Sequence, residues 1–206
     1  MPLLCLSMSL HVPSTLLPSL LASSVFLRTS QVFFALLLLA SAVSKLLDMP
    51  GFYGIVRSYQ LLPDALIAPA AWALSLTELA LGAVLGMALA GLRLRPAAVR
   101  FKLRPAAVGL ELRLAAVGLE LRLAAAGLLV ALHVFYLFGL TTALARGLAL
   151  PNCGCFGVYW PRPLSAWSVV EDMVLLGWAT AFYRGLLARQ ACSKQQHAQL
   201  AVRGRS

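Results

Sequence analysis

Four long apolar runs, parted by short polar breaks, set the plan of the chain. From Gln31 to Leu47 the hydrophobic residues continue almost unbroken to Lys45. At ~1.5 Å per residue this run nearly crosses a ~30 Å hydrocarbon core, and a few preceding residues complete the crossing. Asp48, Pro50 and Gly51 end it, and Gly54 to Asp64 reads as an amphipathic connector carrying Arg57, Tyr59 and Gln60. Pro63 followed by Asp64 marks a helix start, because proline and an acid both suit a first turn. The second run, Ala65 to Leu92, is interrupted by the charge of Glu78 and carries Gly82 and Gly86 at a spacing that lets helices approach closely. The third, Leu123 to Ala145, has His133 at its middle. The fourth, Leu164 to Leu187, follows Pro161 and Pro163, offers Ser165 as an N-cap, and holds Glu171 and Asp172 near its start. The pattern predicts an all-α integral membrane four-helix bundle with spans near 31–47, 65–91, 123–145 and 165–187.

Three segments fall outside that pattern. Residues 1–29 are apolar but contain Pro2, Pro13 and Pro18 and lack the positive start of a signal peptide, so they read as a disordered leader. Residues 189–206 read as a basic, disordered tail, leaving 30–188 as one four-span domain. Between spans two and three, residues 93–122 fall largely within a nine-residue tandem repeat: LRPAAVRFK, LRPAAVGLE, LRLAAVGLE, LRLAAAGLL. Nine residues at about 100° each turn successive copies to opposite helix faces, so the repeat builds no single stripe. Pro96 and Pro105 predict broken early copies and helical later ones.

Composition agrees with the pattern. Hydrophobic residues make up 61% and charged residues 12%, far from soluble averages of roughly 45–50% and about 25%. The net charge is +10, but the basic residues are not interleaved with aromatics and no soluble basic domain remains once the helices are removed, which excludes a nucleic-acid-binding module. The partner this charge implies is a lipid bilayer. Lys and Arg cluster in the repeat segment (Arg93, Arg95, Arg100, Lys102, Arg104, Arg113, Arg122) and in the tail (Arg184, Arg189, Lys194, Arg203, Arg205). The other two loops hold only Lys45 with Arg57 and Arg146 with Arg162. The positive-inside bias therefore predicts a multi-pass protein of the cell membrane with both termini and the repeat cytoplasmic. The loop between spans three and four then faces outward, where thiols can be oxidised.

That loop carries the reactive chemistry: Asn152-Cys153-Gly154-Cys155-Phe156-Gly157. Cys5 and Cys192 read as incidental thiols, and no Cys/His spacing matches a zinc site. A Cys-x-Cys pair admits a redox dithiol, a structural disulfide or a metal site, and the loop lacks further ligands for the last. A disulfide ring closed over one residue is tight, and strained disulfides are the reducible ones. Gly154 suits such a turn. Arg146 and Arg162 flank the pair, and positive charge favours thiolate. Glu78 lies 13 residues after Ala65 and His133 lies 13 before Arg146, so both sit at similar depth, roughly 20 Å below the outer helix ends. A Glu78–His133 contact follows, read either as a proton or quinone site or as an interhelical hydrogen bond. Lys45 likewise stands near Glu171 and Asp172, as a functional or a merely structural ion pair. No cofactor is certain, and quinone is the candidate.

Taken in order, Ser44-Lys45-Leu46, Tyr59-Gln60-Leu61-Leu62-Pro63, Glu78 followed by Leu-Ala-Leu-Gly, Cys153-Gly154-Cys155-Phe156-Gly157 and Glu171-Asp172-Met173-Val174-Leu175-Leu176 resemble the MauE family, four-helix membrane proteins similar to DoxX. The resemblance runs from about Val32 to Leu187, and the repeat departs from the compact loop of the family. It implies a part in methylamine utilisation, as in methylamine dehydrogenase maturation, or more broadly in disulfide formation in exported proteins beside a thioredoxin-like partner. Cys153 and Cys155 are then the catalytic candidates. Asn152, Gly154, Phe156, Gly157, Lys45, Glu78, His133, Glu171 and Asp172 are the supporting ones. The alternative is a non-catalytic membrane scaffold with a structural Cys-Gly-Cys loop.

Overall fold

The computed structural model describes Leu21 and residues 23–98 and 105–203. The expectations placed on residues 1–20, 99–104 and 204–206 lie outside the described residues. Five helices follow one another: α1 (Ser24–Leu47), α2 (Met49–Ser58), α3 (Asp64–Ala98), α4 (Pro105–Ala145) and α5 (Ala166–Arg203). Among the described residues α1, the first part of α3 and the second half of α4 are long and apolar enough to cross a membrane. The fourth expected span lies within α5, where Glu171 and Asp172 open an otherwise apolar stretch and lower its hydropathy.

The element boundaries differ from the sequence reading in ways that local chemistry explains. Helix α1 begins at Ser24 rather than Gln31, because the Ser23 hydroxyl accepts the Phe26 amide and caps it. The break after span one is not an open connector but α2. Asp48 ends α1 and its carboxylate accepts the Gly51 amide at 2.9 Å, and Pro50 falls in the first turn, where proline costs no hydrogen bond. Pro105 opens α4 for the same reason, so the later repeat copies are helical. Helix α5 continues through the expected tail to Arg203, over a stretch of strong helix formers with no glycine or proline between Ala188 and Arg203. Cys192 is disulfide-bonded rather than an incidental thiol; spacing along the chain does not report neighbours in space.

Helix α1 packs chiefly on α3 and α4 on α5, and α1–α5 and α3–α4 contacts join the two pairs. The Gln31 side-chain amide donates to the Leu85 carbonyl at 2.8 Å, and Ser41 lies on Glu78. Numbers that rise on α1 and fall on α3 make the pair antiparallel. The two helices lie close at Gly82, where an added Cβ would stand 2.9 Å from the Leu39 side chain and 3.1 Å from its backbone. At Gly86 the space is open, so only one of the two expected glycines serves the approach. Phe34, Leu38, Leu85, Leu129 and Phe182 fill the centre, and Phe33 stacks on Trp178 at 4.4 Å. Trp178 also donates its indole N–H to Ser30, buried between α1 and α5, at 2.8 Å. Leu36, Leu76, Phe135, Phe138 and Val174 point outward, as expected of helices whose solvent is lipid. The C-terminal end of α1, the N-terminal end of α3, the C-terminal end of α4 and the N-terminal end of α5 meet at one end of the molecule. There Tyr159, Trp160 and Trp167 are exposed, in the manner of an interfacial aromatic belt.

Candidate functional site

The cysteine loop closes that end of the helices. It is held as a fixed turn by its own side chains and by α1 and α2. The Asn152 side chain accepts the Gly154 amide at 2.9 Å and donates to the Gly157 carbonyl at 2.8 Å, bracketing both cysteines. The Cys153 amide donates to the Arg162 carbonyl at 2.7 Å, and the Leu164 amide to Leu150 at 2.9 Å, so the two ends of the loop run side by side. The carbonyls of the cysteines are taken as well: the Tyr59 hydroxyl donates to Cys153 at 2.7 Å and the Ser41 hydroxyl to Cys155 at 2.7 Å. Gly154 (φ +79°) and Gly157 (φ +60°) occupy left-handed backbone that glycine adopts freely. Gly157 is doubly required, since a Cβ there would lie 3.0 Å from the Ser44 carbonyl oxygen and 3.2 Å from the Lys45 backbone.

The two sulfurs are 3.3 Å apart, both as free thiols. Their environments differ. Taken as whole residues Cys153 is buried and Cys155 is exposed, but the Cys155 thiol itself is largely desolvated. The Cys153 thiol is lowered from 9.0 to about 6, first because the Cys155 S–H is placed to donate to its thiolate and further because the Arg162 guanidinium is near. Cys155 moves the other way: its S–H is engaged by Cys153, and burial and the Cys153 charge oppose a second ionisation. The pair thus carries its first negative charge on Cys153. Of the basic residues expected to flank it, Arg162 acts on the pair while also binding Glu171 at 2.9 Å. Arg146 instead donates to the Tyr59 and Gln60 carbonyls, each at 3.2 Å.

Beneath the loop lies a buried charge cluster. Lys45 Nζ is 2.6 Å from Glu78 Oε1, with both side chains only 1% exposed. The Tyr136 hydroxyl donates to the same carboxylate oxygen, and Ser41 reaches the other at 3.0 Å. The ammonium group also stands 5.3 Å from the Phe52 ring centroid and 5.2 Å from that of Tyr136. The expected pairings are therefore exchanged. Glu78 meets Lys45 and Tyr136 rather than His133, and Lys45 meets Glu78 rather than Glu171 or Asp172. Counting residues from helix ends placed the backbones at comparable depth but left out the reach of a lysine, which spans more than a helical turn. His133 Nδ1 contacts the Leu129 carbonyl of its own helix at 2.9 Å. Asp172 is buried, with Oδ2 lacking a hydrogen-bond partner.

The two cysteines and the buried groups beneath them border one cavity of about 460 Å³, lined among others by Cys153, Cys155, Phe156, Glu78, His133 and Asp172. It is large enough for a small organic molecule. Among the described residues no group of three His, Cys, Asp or Glu side chains is placed to hold a metal ion. Ser41, Tyr59 and Tyr136 are the site residues that sequence reasoning missed. Ser41 lies one turn before Lys45 and Tyr136 three residues after His133, so helical spacing from the two intramembrane polar residues was the available signal.

Comparison with known proteins extends this picture. The family model described as methylamine utilisation protein MauE matches residues 23–91, the stretch that holds Ser41, Lys45, Tyr59 and Glu78. A methylamine utilization protein MauE of Paracoccus denitrificans is 32% identical over 158 residues, covering 77% of this chain and 68% of that protein. No solved structure matches. With a family model on α1 to α3 and a relative aligned across most of its length, this chain belongs to the MauE family.

Proposed function

We propose that the chain is a membrane thiol–disulfide redox protein that serves methylamine utilisation, or more broadly disulfide formation in exported proteins, by exchange with a thioredoxin-like partner. The observation that carries this reading is the unequal cysteine pair, with sulfurs 3.3 Å apart and one thiol lowered to about 6. In the oxidised form a partner thiolate attacks the Cys155 sulfur and expels Cys153 as a thiolate, a good leaving group because its conjugate thiol is acidic. The second partner thiol then resolves the mixed disulfide. The partner leaves with a disulfide, and two electrons and two protons remain on Cys153 and Cys155. The wider arrangement is a four-span bundle whose fourth span lies within α5, with both termini and the repeat cytoplasmic and the cysteine loop outside, supported by the Lys/Arg asymmetry.

The test is exchange in the purified, oxidised full chain. A reduced thioredoxin-fold protein is expected to lose two thiols for each dithiol that appears at Cys153 and Cys155, counted with a maleimide. The Cys153→Ser/Cys155→Ser protein should exchange none. The full hydrogen bonding of the loop carbonyls to Tyr59 and Ser41 favours a second reading, a structural turn in an assembly scaffold. That reading expects no exchange, with the double serine variant still supporting partner maturation in cells.

A further inference from the structure

The cavity under the loop has polar lining groups that the thiol exchange does not use and an exposed apolar rim. Asp172 and His133 are among those polar groups. Asp172 is only 8% exposed, and its Oδ2 is a buried acceptor with no partner, a state that folded proteins seldom leave unanswered. His133, whose Nδ1 contacts the Leu129 carbonyl, borders the same cavity. At the mouth stand Leu61, Leu62, Phe135 and Phe138, all lining the cavity and all substantially exposed. A soluble ligand would meet polar groups there. In a bundle surrounded by lipid, an exposed apolar rim opens on the acyl chains.

We infer that this cavity binds a lipid-soluble quinone, entering from the bilayer between the α2–α3 connection and α4, as the acceptor of electrons from Cys153 and Cys155. The inference rests on the redox reading above and names its acceptor. A dithiol that closes to a disulfide gives up two electrons and two protons together. A conjugated cyclic diketone takes up that same set and dissolves in the bilayer. The sulfurs of Cys153 and Cys155 join and give up two electrons, the Cys155 S–H supplies one proton and water replaces the one already lost from Cys153, and the two quinone carbonyl oxygens become hydroxyls. Asp172 and His133 lie where a ring oxygen would seek a hydrogen bond and a proton. The apolar tail of the quinone leaves past Phe135 and Phe138.

Gly139 provides a test that leaves the loop untouched. It lines the cavity, and an added Cβ there meets nothing within 4 Å, so a large side chain enters empty space rather than a neighbour. The full chain is reduced, freed of reductant, embedded in nanodiscs and mixed with decylubiquinone without oxygen. Quinol formation is followed by absorbance and remaining thiols by maleimide counting. One quinol is expected per dithiol lost, with Gly139→Phe and Asp172→Asn each slower by about tenfold or more. Thiol counts before mixing report an intact loop in each variant, and Asp172→Glu should recover part of the rate. Quinone reduction at the unaltered rate in both Gly139→Phe and Asp172→Asn overturns the cavity assignment. A dithiol inert to decylubiquinone that still exchanges with a thioredoxin-fold protein overturns the inference and leaves the redox reading standing. Failure of that exchange, with quinol still formed, removes the partner reading and leaves the cavity.

Discussion

Two cysteines one residue apart look interchangeable in sequence, and the fold makes them unlike. Cys153 sits where the Cys155 S–H and the Arg162 guanidinium favour its thiolate, whereas Cys155, engaged by Cys153 and desolvated, resists ionisation. The residue types were legible in the chain; the assignment of roles was not, because it depends on which sulfur receives the other's S–H and on the nearness of the Arg162 guanidinium. The thiolate absorbance of the reduced protein should accordingly rise with a midpoint near pH 6, not near the ~8.5 of a free cysteine. The sign for redox balance follows. Between about pH 6 and about pH 9 only the folded dithiol holds its charge, so the reduced form is favoured there and the loop becomes a stronger oxidant than an unperturbed pair. Below about pH 6 the advantage is lost. A single thiolate step near 8.5 in the titration would rule this assignment out. Gly157 belongs at the same scale. Gly157→Ala should destabilise by roughly 1–3 kcal/mol, since it adds backbone strain at φ +60° and a Cβ pressed on α1. Thermal unfolding against the unaltered chain checks it.

Among the elements, the apolar runs made α1, α3 and α4 readable, because a helix in lipid must be apolar over its length. Helix α2 was missed because Pro50 and Gly51 read as breakers, although proline in a first turn and Asp48 as its cap begin a helix. Depth counting found the polar residues inside the bundle and mispaired them. Helix α1 lies against α3 with Ser41 and Lys45 on one face, so Glu78 is claimed before His133 is reached. A buried ion pair with its hydrogen bonds complete is costly to break and far less costly to replace whole. Lys45→Met and Glu78→Leu should each lower stability by about 3–5 kcal/mol, and the double variant by much less than their sum. Singles without effect, or simple additivity in thermal unfolding, would show that the pair does not act as a unit. Ser41→Ala should cost about 1 kcal/mol and loosen the loop without changing insertion.

At the scale of the molecule, the helices bring four termini to one end and the loop closes over them, so that the thiols, the buried Lys45–Glu78 pair and the cavity share one place. That convergence was visible in the sequence only as an order of motifs; the cavity has no signature in it, since its walls come from α1, α2, α3, α4, α5 and the loop. If the loop lies outside the cell, a membrane-impermeant maleimide added to intact cells should modify the reduced Cys153–Cys155 pair, and a label confined to inverted vesicles would reverse the topology. The central claim is that this loop exchanges disulfides with an exported protein, with attack at Cys155 and departure from Cys153. It is tested most directly by mixing the oxidised full chain with a reduced thioredoxin-fold protein whose second thiol is replaced by serine, then alkylating under non-reducing conditions. A mixed disulfide at Cys155 that reductant releases should accumulate, with Cys153 as the alkylated thiol. A mixed disulfide at Cys153, or no adduct with either cysteine, would contradict the account.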